Sequence, residues 1–112
     1  MTRDEAYLLD ILIASQKILR FTEGVSREQF DRDELLQNAL IRMLEVIGEA
    51  ARSVSEDTKL AHASIPWRQM IGMRHRLVHE YFRIDLERVW ETAQRDIPEL
   101  LKQIEPLVPR DQ

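Results

Sequence analysis

The stretch "IPWRQMIGMRHRLVHEYFRID", residues 65–85, decides how the rest of the chain is read. Its apolar residues recur at helical spacing, and Pro66 suits a first helical turn, where a missing N–H costs nothing. The predicted helix runs to about residue 80. On a wheel of about 100° per residue, Trp67, Met70, Ile71, Leu77 and Val78 share one apolar stripe. Arg74 falls inside that stripe, roughly 20° from Trp67 by the same geometry. Desolvating a guanidinium costs several kcal/mol unless it is paired. Arg74 therefore either pairs with an internal carboxylate, with Glu45 or Glu49 as partners, or lines a cleft where its donors meet an anion.

Outward from this helix the chain keeps the same period. Three glycines and four prolines are its only punctuation and no strand-like alternation persists, so it reads as all-α. A first helix opens on the capping box Thr2-x-x-Glu5 and runs to about residue 21, with Gly24 as its stop. Apolar residues cover most of its circumference, so burial on more than one side is expected. A short turn around "SREQF" follows, with Ser26 or Asp31 as candidate caps.

The second helix is predicted from about residue 33 to 53. Leu36, Leu40, Met43, Ile47, Ala50 and Val54 form its core stripe, and Asn38, Arg42, Glu45 and Glu49 lie opposite. Ile41 and Gly48 interrupt the polar side, either as a surface isoleucine and a packing glycine or as a contact face for a partner chain. "SEDTKLAHASI" reads as polar linker. Asp85 can cap a fourth helix in which Pro98 is expected to kink or break the rod, with Asp96-x-x-Glu99 restarting it. The expected architecture is one domain, residues 1–112, an antiparallel bundle of four to five helices with a frayed tail.

Composition narrows the function classes. With 44% hydrophobic and 32% charged residues the chain is that of a globular protein and not a disordered one. It has no cysteine, which removes disulfides and thiolate metal sites and fits a cytoplasmic protein. The N-terminus "MTRDEAYLL" lacks the basic-then-apolar order of a secretory signal, and no run reaches the roughly 20 apolar residues of a membrane span. Net charge is −4, yet between Trp67 and Arg83 lie four arginines and two histidines against one acid, Glu80. A local basic patch is the better clue to an anionic partner than the global sum.

His75 and His79, four apart, are neighbours on a flank beside the apolar stripe. They can be half of a metal site, ordinary boundary histidines, or an acid–base pair. Zinc wants three or four protein ligands and only His62 remains to help, so no metal and no cofactor is expected. An arginine and a histidine without thiol, metal set or serine triad suit metal-independent RNA cleavage, in which the substrate's 2′-hydroxyl is the nucleophile. The histidine moves protons and the guanidinium holds the phosphoryl oxygens. Arg74 and His79 are five apart, about 140° around a regular helix, so one helix does not easily aim both at one phosphate. Either the helix loosens near Tyr81 or a symmetric homodimer combines side chains from two copies.

Arg74-x-x-x-x-His79-x-Tyr81 resembles the RX4HXY motif of HEPN-domain toxins of the HepT type. "RMLEVIGEAAR", "IPWRQMIGMRHRLVHEYFRID" and "VWETAQRDIPELL" extend the likeness over nearly the whole chain, from about residue 7 to 101. The resemblance implies a HEPN-like helical bundle that dimerises around a composite cleft and cuts cellular RNA, tRNA or mRNA, without metal. It implies that Arg74 and His79 are the catalytic pair. It also implies that Tyr81 is the residue to which a partner antitoxin, a minimal nucleotidyltransferase of the MntA type, transfers AMP from ATP. A bulky anionic adenylyl group there would fill the cleft and occupy Arg74. The alternative for Tyr81 is a ring plugging the end of the core.

Many members carry asparagine after the arginine, and here it is His75, a second imidazole able to assist. Arg76 and Glu80 are placed to form an exposed ion pair. Arg68, Arg76, Arg83 and Arg88 are weaker candidates for contacts to the RNA backbone. Two other functions compete: a non-catalytic HEPN module docking a nucleotidyltransferase or a nucleotide, and a purely structural bundle with Arg74 internally paired.

Overall fold

A computed structural model describes residues 1–109. Helices account for nearly all of them, and no strand occurs among the described residues. The elements are α1 Arg3–Thr22, α2 Arg27–Asp31, α3 Glu34–Ser53, α4 Glu56–Ala61, α5 Trp67–His79, α6 Leu86–Glu91 and α7 Ile97–Ile104. The expected all-α antiparallel bundle is what forms. The tail expected to fray lies, in its last three positions, outside the described residues.

Local chemistry sets most boundaries. Thr2 and Glu5 form the reciprocal capping box of α1, with the Thr2 hydroxyl accepting the Glu5 N–H at 3.1 Å and the Glu5 carboxylate accepting the Thr2 N–H at 2.8 Å. Gly24, at φ +73°, takes the left-handed turn that ends the first hairpin. Of the two candidate caps in "SREQF", Ser26 caps α2 through a box with Gln29. Asp31 caps nothing, because Asp33 accepts the Leu36 N–H and starts α3. Asp85 caps α6 as expected.

α3 is the central rod, packed against α1 on one side and α5 on the other, with α7 closing onto α1. Leu40, Leu44, Ile47 and Ala51 of α3 meet Leu8, Ile11 and Ile18 of α1 in the core. At about 25 cal/mol per Å² of apolar surface removed from water, burial of this shared face is the main stabilising term. The rings of Phe30 and Trp90, 4.9 Å apart, tie α2 to α6.

Three expectations are corrected. The polar linker contains α4, because Ser55 caps it and Asp4 of α1, remote in sequence, accepts hydrogen bonds from the Ser55 N–H, the Ser55 hydroxyl and the Thr58 hydroxyl. These contacts, led by the Ser55 hydroxyl, hold the Asp4 carboxyl below its ordinary pKa. Secondly, of the kink or break expected at Pro98 the break does not occur, and Asp96 does not cap the last helix. Backbone dihedrals stay helical through a π-turn at Thr92–Asp96, in which the Ile97 N–H reaches the Thr92 carbonyl. That wider turn takes up the misfit of a proline inside a helix. Thirdly, the buried face of α5 is Trp67, Met70, Met73 and Leu77, with Ile71 and Val78 at its edge. Arg74 consequently sits at the rim of the apolar stripe and not at its centre.

Candidate functional site

α5 carries the candidate residues, and its flanks emerge on different surfaces. Arg74 faces α3. There Gly48 lets the helices touch: a Cβ on Gly48 would stand 2.2 Å from the Arg74 Cβ and 2.7 Å from the Met70 carbonyl oxygen. Gly48 is thus a packing glycine within the protomer. Beside it, the Glu49 Oε2 lies 2.9 Å from the Arg74 Nε, and the Glu49 Oε1 lies 3.3 Å from an Arg52 terminal nitrogen. The contact with Arg74 is an ion pair without the alignment of a hydrogen bond, and Oε2 itself is shut off from solvent. Glu45, the other possible partner, faces Arg42 at 3.8 Å.

The pair does not withdraw Arg74 from the surface. Its side chain keeps 28% of its exposure and that of Glu49 keeps 47%. Both line a cleft of about 350 Å³ between α1, α3 and α5, with Tyr7, Asp10, Arg42 and Glu45 around them. The two fates open to Arg74, pairing or lining a cleft, are therefore both realised. A pair this exposed contributes about 1 kcal/mol or less to stability, so it does not account for Arg74 as a structural residue alone.

His75 and His79 lie on the next flank, exposed, with ring centroids 4.5 Å apart and planes at 48°. Arg68 shares this flank by helical spacing. α5 ends at His79: Glu80 leaves the helical region at φ −118°, ψ 33°, and its N–H closes on the Arg76 carbonyl at 2.8 Å. A tight turn, Tyr81–Arg83, follows. The helix does loosen at this point, but one residue too late to swing His79 toward Arg74. Val78 and not His79 reaches the Arg74 cleft.

Tyr81 is 73% exposed and Phe82 68% exposed, so Tyr81 plugs no core. The two rings meet edge-on at 5.9 Å, and the Arg83 guanidinium sits 5.6 Å from the centre of Phe82. Arg76 is not part of this surface. It lines a separate groove of about 650 Å³ between α5 and the α6–α7 rod, together with Arg88 and Arg95. The expected Arg76–Glu80 ion pair is absent among the described residues, since Glu80 closes the helix end and Arg76 turns to the groove. Among the described residues no three histidines or carboxylates gather as a metal-binding set, and no helix is long and apolar enough to cross a membrane.

Sequence reasoning named Arg74, His75, His79 and Tyr81. It missed Tyr7 and Asp10 of α1 as walls of the cleft, for which no local signal exists. Glu49 and Gly48 were visible but unranked; their adjacency on α3 is the signal that could have found them.

The family described as "Ribonuclease HepT-like" matches residues 11–107. A protein of Thermococcus cleftensis named as a probable ribonuclease HepT is 44% identical over 101 residues, 90% of this chain and 92% of its own. A protein of Methanocaldococcus jannaschii, provisionally named an RNase, is 39% identical over 93% of this chain and 90% of its own. Another from Caldanaerobacter subterraneus subsp. tengcongensis, also provisionally named an RNase, is 35% identical over 99% of both chains. No solved structure matches. On the extent of these matches, the chain belongs to the HepT-like ribonuclease family.

Proposed function

We propose that this protein is a metal-independent endoribonuclease acting on cellular RNA as the toxin of a toxin–antitoxin pair. Arg74 and His79 are its catalytic residues, His75 assists, and Arg68 and Arg83 contact the RNA backbone. The observation that carries this reading is Arg74 itself. It is an arginine on a cleft wall, held at Nε, whose terminal nitrogens have no ion-pair or hydrogen-bond partner among the described residues. Those nitrogens are donors for a phosphodiester. In the reaction, the ribose 2′-oxygen bonds to phosphorus as its proton passes to an imidazole. The bond from phosphorus to the 5′-oxygen breaks, and that oxygen takes a proton.

Because Arg74 and His79 serve different surfaces of one protomer, the active unit is a symmetric homodimer in which the arginine of one copy works with the histidine of the other. Tyr81, exposed beside His79, is the modification site. Its hydroxyl oxygen attacks the α-phosphorus of ATP on an MntA-type nucleotidyltransferase, pyrophosphate leaves, and the attached AMP blocks the groove.

The test is RNA cleavage by the purified chain in EDTA. Arg74→Ala and His79→Ala should each lower its rate at least about 100-fold, and co-refolding the two impaired chains should restore part of it through one intact composite site. Cleavage surviving both substitutions defeats the assignment, and no restoration on mixing defeats the two-copy site. For Tyr81, mass spectrometry after incubation with the cognate nucleotidyltransferase and ATP should find AMP on that residue, and none on Tyr81→Phe.

A further inference from the structure

Arg74 meets its carboxylate at one nitrogen only, in an ion pair without hydrogen-bond alignment. A guanidinium has five N–H groups in a rigid plane, one on Nε and four on the terminal nitrogens. Glu49 takes the Nε side at 2.9 Å, and no described residue takes the others. The Glu49 oxygen in this contact is shut off from solvent, so water does not compete for it. Three features build the contact. Gly48 brings α3 against the Arg74 Cβ, Glu49 follows it in sequence, and Arg52, one turn on, holds the other carboxylate oxygen at 3.3 Å. The triad Arg52–Glu49–Arg74 keeps a net charge of one positive unit, so the carboxylate orients Arg74 without cancelling its attraction for phosphate.

We infer that Glu49 is the positioning residue of the active site, acting through Arg74 by fixing the guanidinium plane so that its terminal nitrogens form the phosphate-binding fork. The inference rests on the ribonuclease assignment. Misplacement of a group aligned for the transition state costs up to about 100-fold in rate. Glu49→Gln, which keeps shape but removes the charge, should lower kcat about 10- to 100-fold and leave KM within about 3-fold.

The test is a double-mutant cycle on RNA cleavage by the full chain, using Glu49→Gln, Arg74→Ala and the combination, with urea unfolding of each. In parallel, the Arg74 Nε–H resonance is followed by NMR in the parent and in Glu49→Gln. The inference expects that Glu49→Gln adds nothing once Arg74 is gone, that unfolding midpoints stay close to the parent's, and that the Nε–H resonance shifts. Glu49→Asp, with the charge kept but drawn back, should fall between the parent and Glu49→Gln. Multiplying effects in the cycle, parent-like kcat in Glu49→Gln, or an unmoved Nε–H resonance each overturn it. If the parent chain leaves RNA intact while the resonance still shifts, the ribonuclease assignment is what has failed. The pair is then structural, and Glu49 loses the role given to it here.

Discussion

Two surfaces beside α5 both carry arginine and differ in what surrounds it. On one side, Arg74 is pressed against α3 through Gly48 and meets a carboxylate, with the row Arg68, His75, His79 on the flank next to it. On the other, Arg76 overlooks a larger groove with Arg88 and Arg95, none of them ion-paired among the described residues, and no histidine lines that groove. The larger cavity is the less chemical one. Positive charge attracts a phosphate, but only a guanidinium in a defined plane beside a proton-transfer group can stabilise one as it reacts.

The sharpest way to break this contrast is to remove one arginine from each flank. Arg74→Ala should cost about 100- to 1,000-fold in cleavage rate, the range of a lost preorganised donor. Arg76→Ala should leave the rate within about 2-fold, as a surface change away from the reacting groups. Equal losses in a fixed-RNA assay would mean that the site is a diffuse basic surface.

The glycines sharpen the same contrast through stability. Gly48→Ala forces a Cβ into the Arg74 stem and should destabilise the fold by about 3 kcal/mol in urea titration, the upper part of the overpacking range. Gly72→Ala, on α5 where a Cβ meets nothing within 4 Å, should instead stabilise by about 0.5–1 kcal/mol through helix propensity. Arg68→Ala and Arg83→Ala should each reduce the salt dependence of RNA binding by about 0.7 in the log–log slope, while Arg76→Ala should leave it unchanged.

The smallest effect concerns the lash between α1 and α4. Because Asp4 has a lowered pKa in the folded chain, its contribution is present in full above the ordinary carboxylate range. It is lost as pH falls below about 4, where the unfolded chain takes up the proton first. Asp4→Asn should flatten the acid limb of the stability curve and leave cleavage at neutral pH unaltered. An unchanged acid limb would show that the Ser55 and Thr58 contacts carry no charge-dependent stabilisation.

What was legible in the sequence is what depends on neighbours along the chain. Thr2 with Glu5, Gly24, Ser26 and Asp85 mark helix ends because caps act over three or four residues. In the sequence α4 looks like linker, because its anchor, Asp4, lies on another helix. Pro98 signals a kink or a break in the sequence, whereas the π-turn that keeps the backbone helical is a response of the whole rod. The wheel placed Arg74 in the apolar stripe to within a turn's edge, but the true face leans toward Met73, which α3 and the α6–α7 rod cover together.

The chain alone determined that this is a helical bundle, that Arg74, His75, His79 and Tyr81 lie close together in sequence near the end of one helix, and which family it belongs to. These follow from period, caps and motif, all local in sequence. Only the tertiary structure decided that Glu49 and not Glu45 meets Arg74, that Tyr81 stands in solvent, and that Arg76 faces away. Each of those depends on how closely two helices approach and at what rotation, and that is set by which side chains, or which missing side chain at Gly48, lie between them.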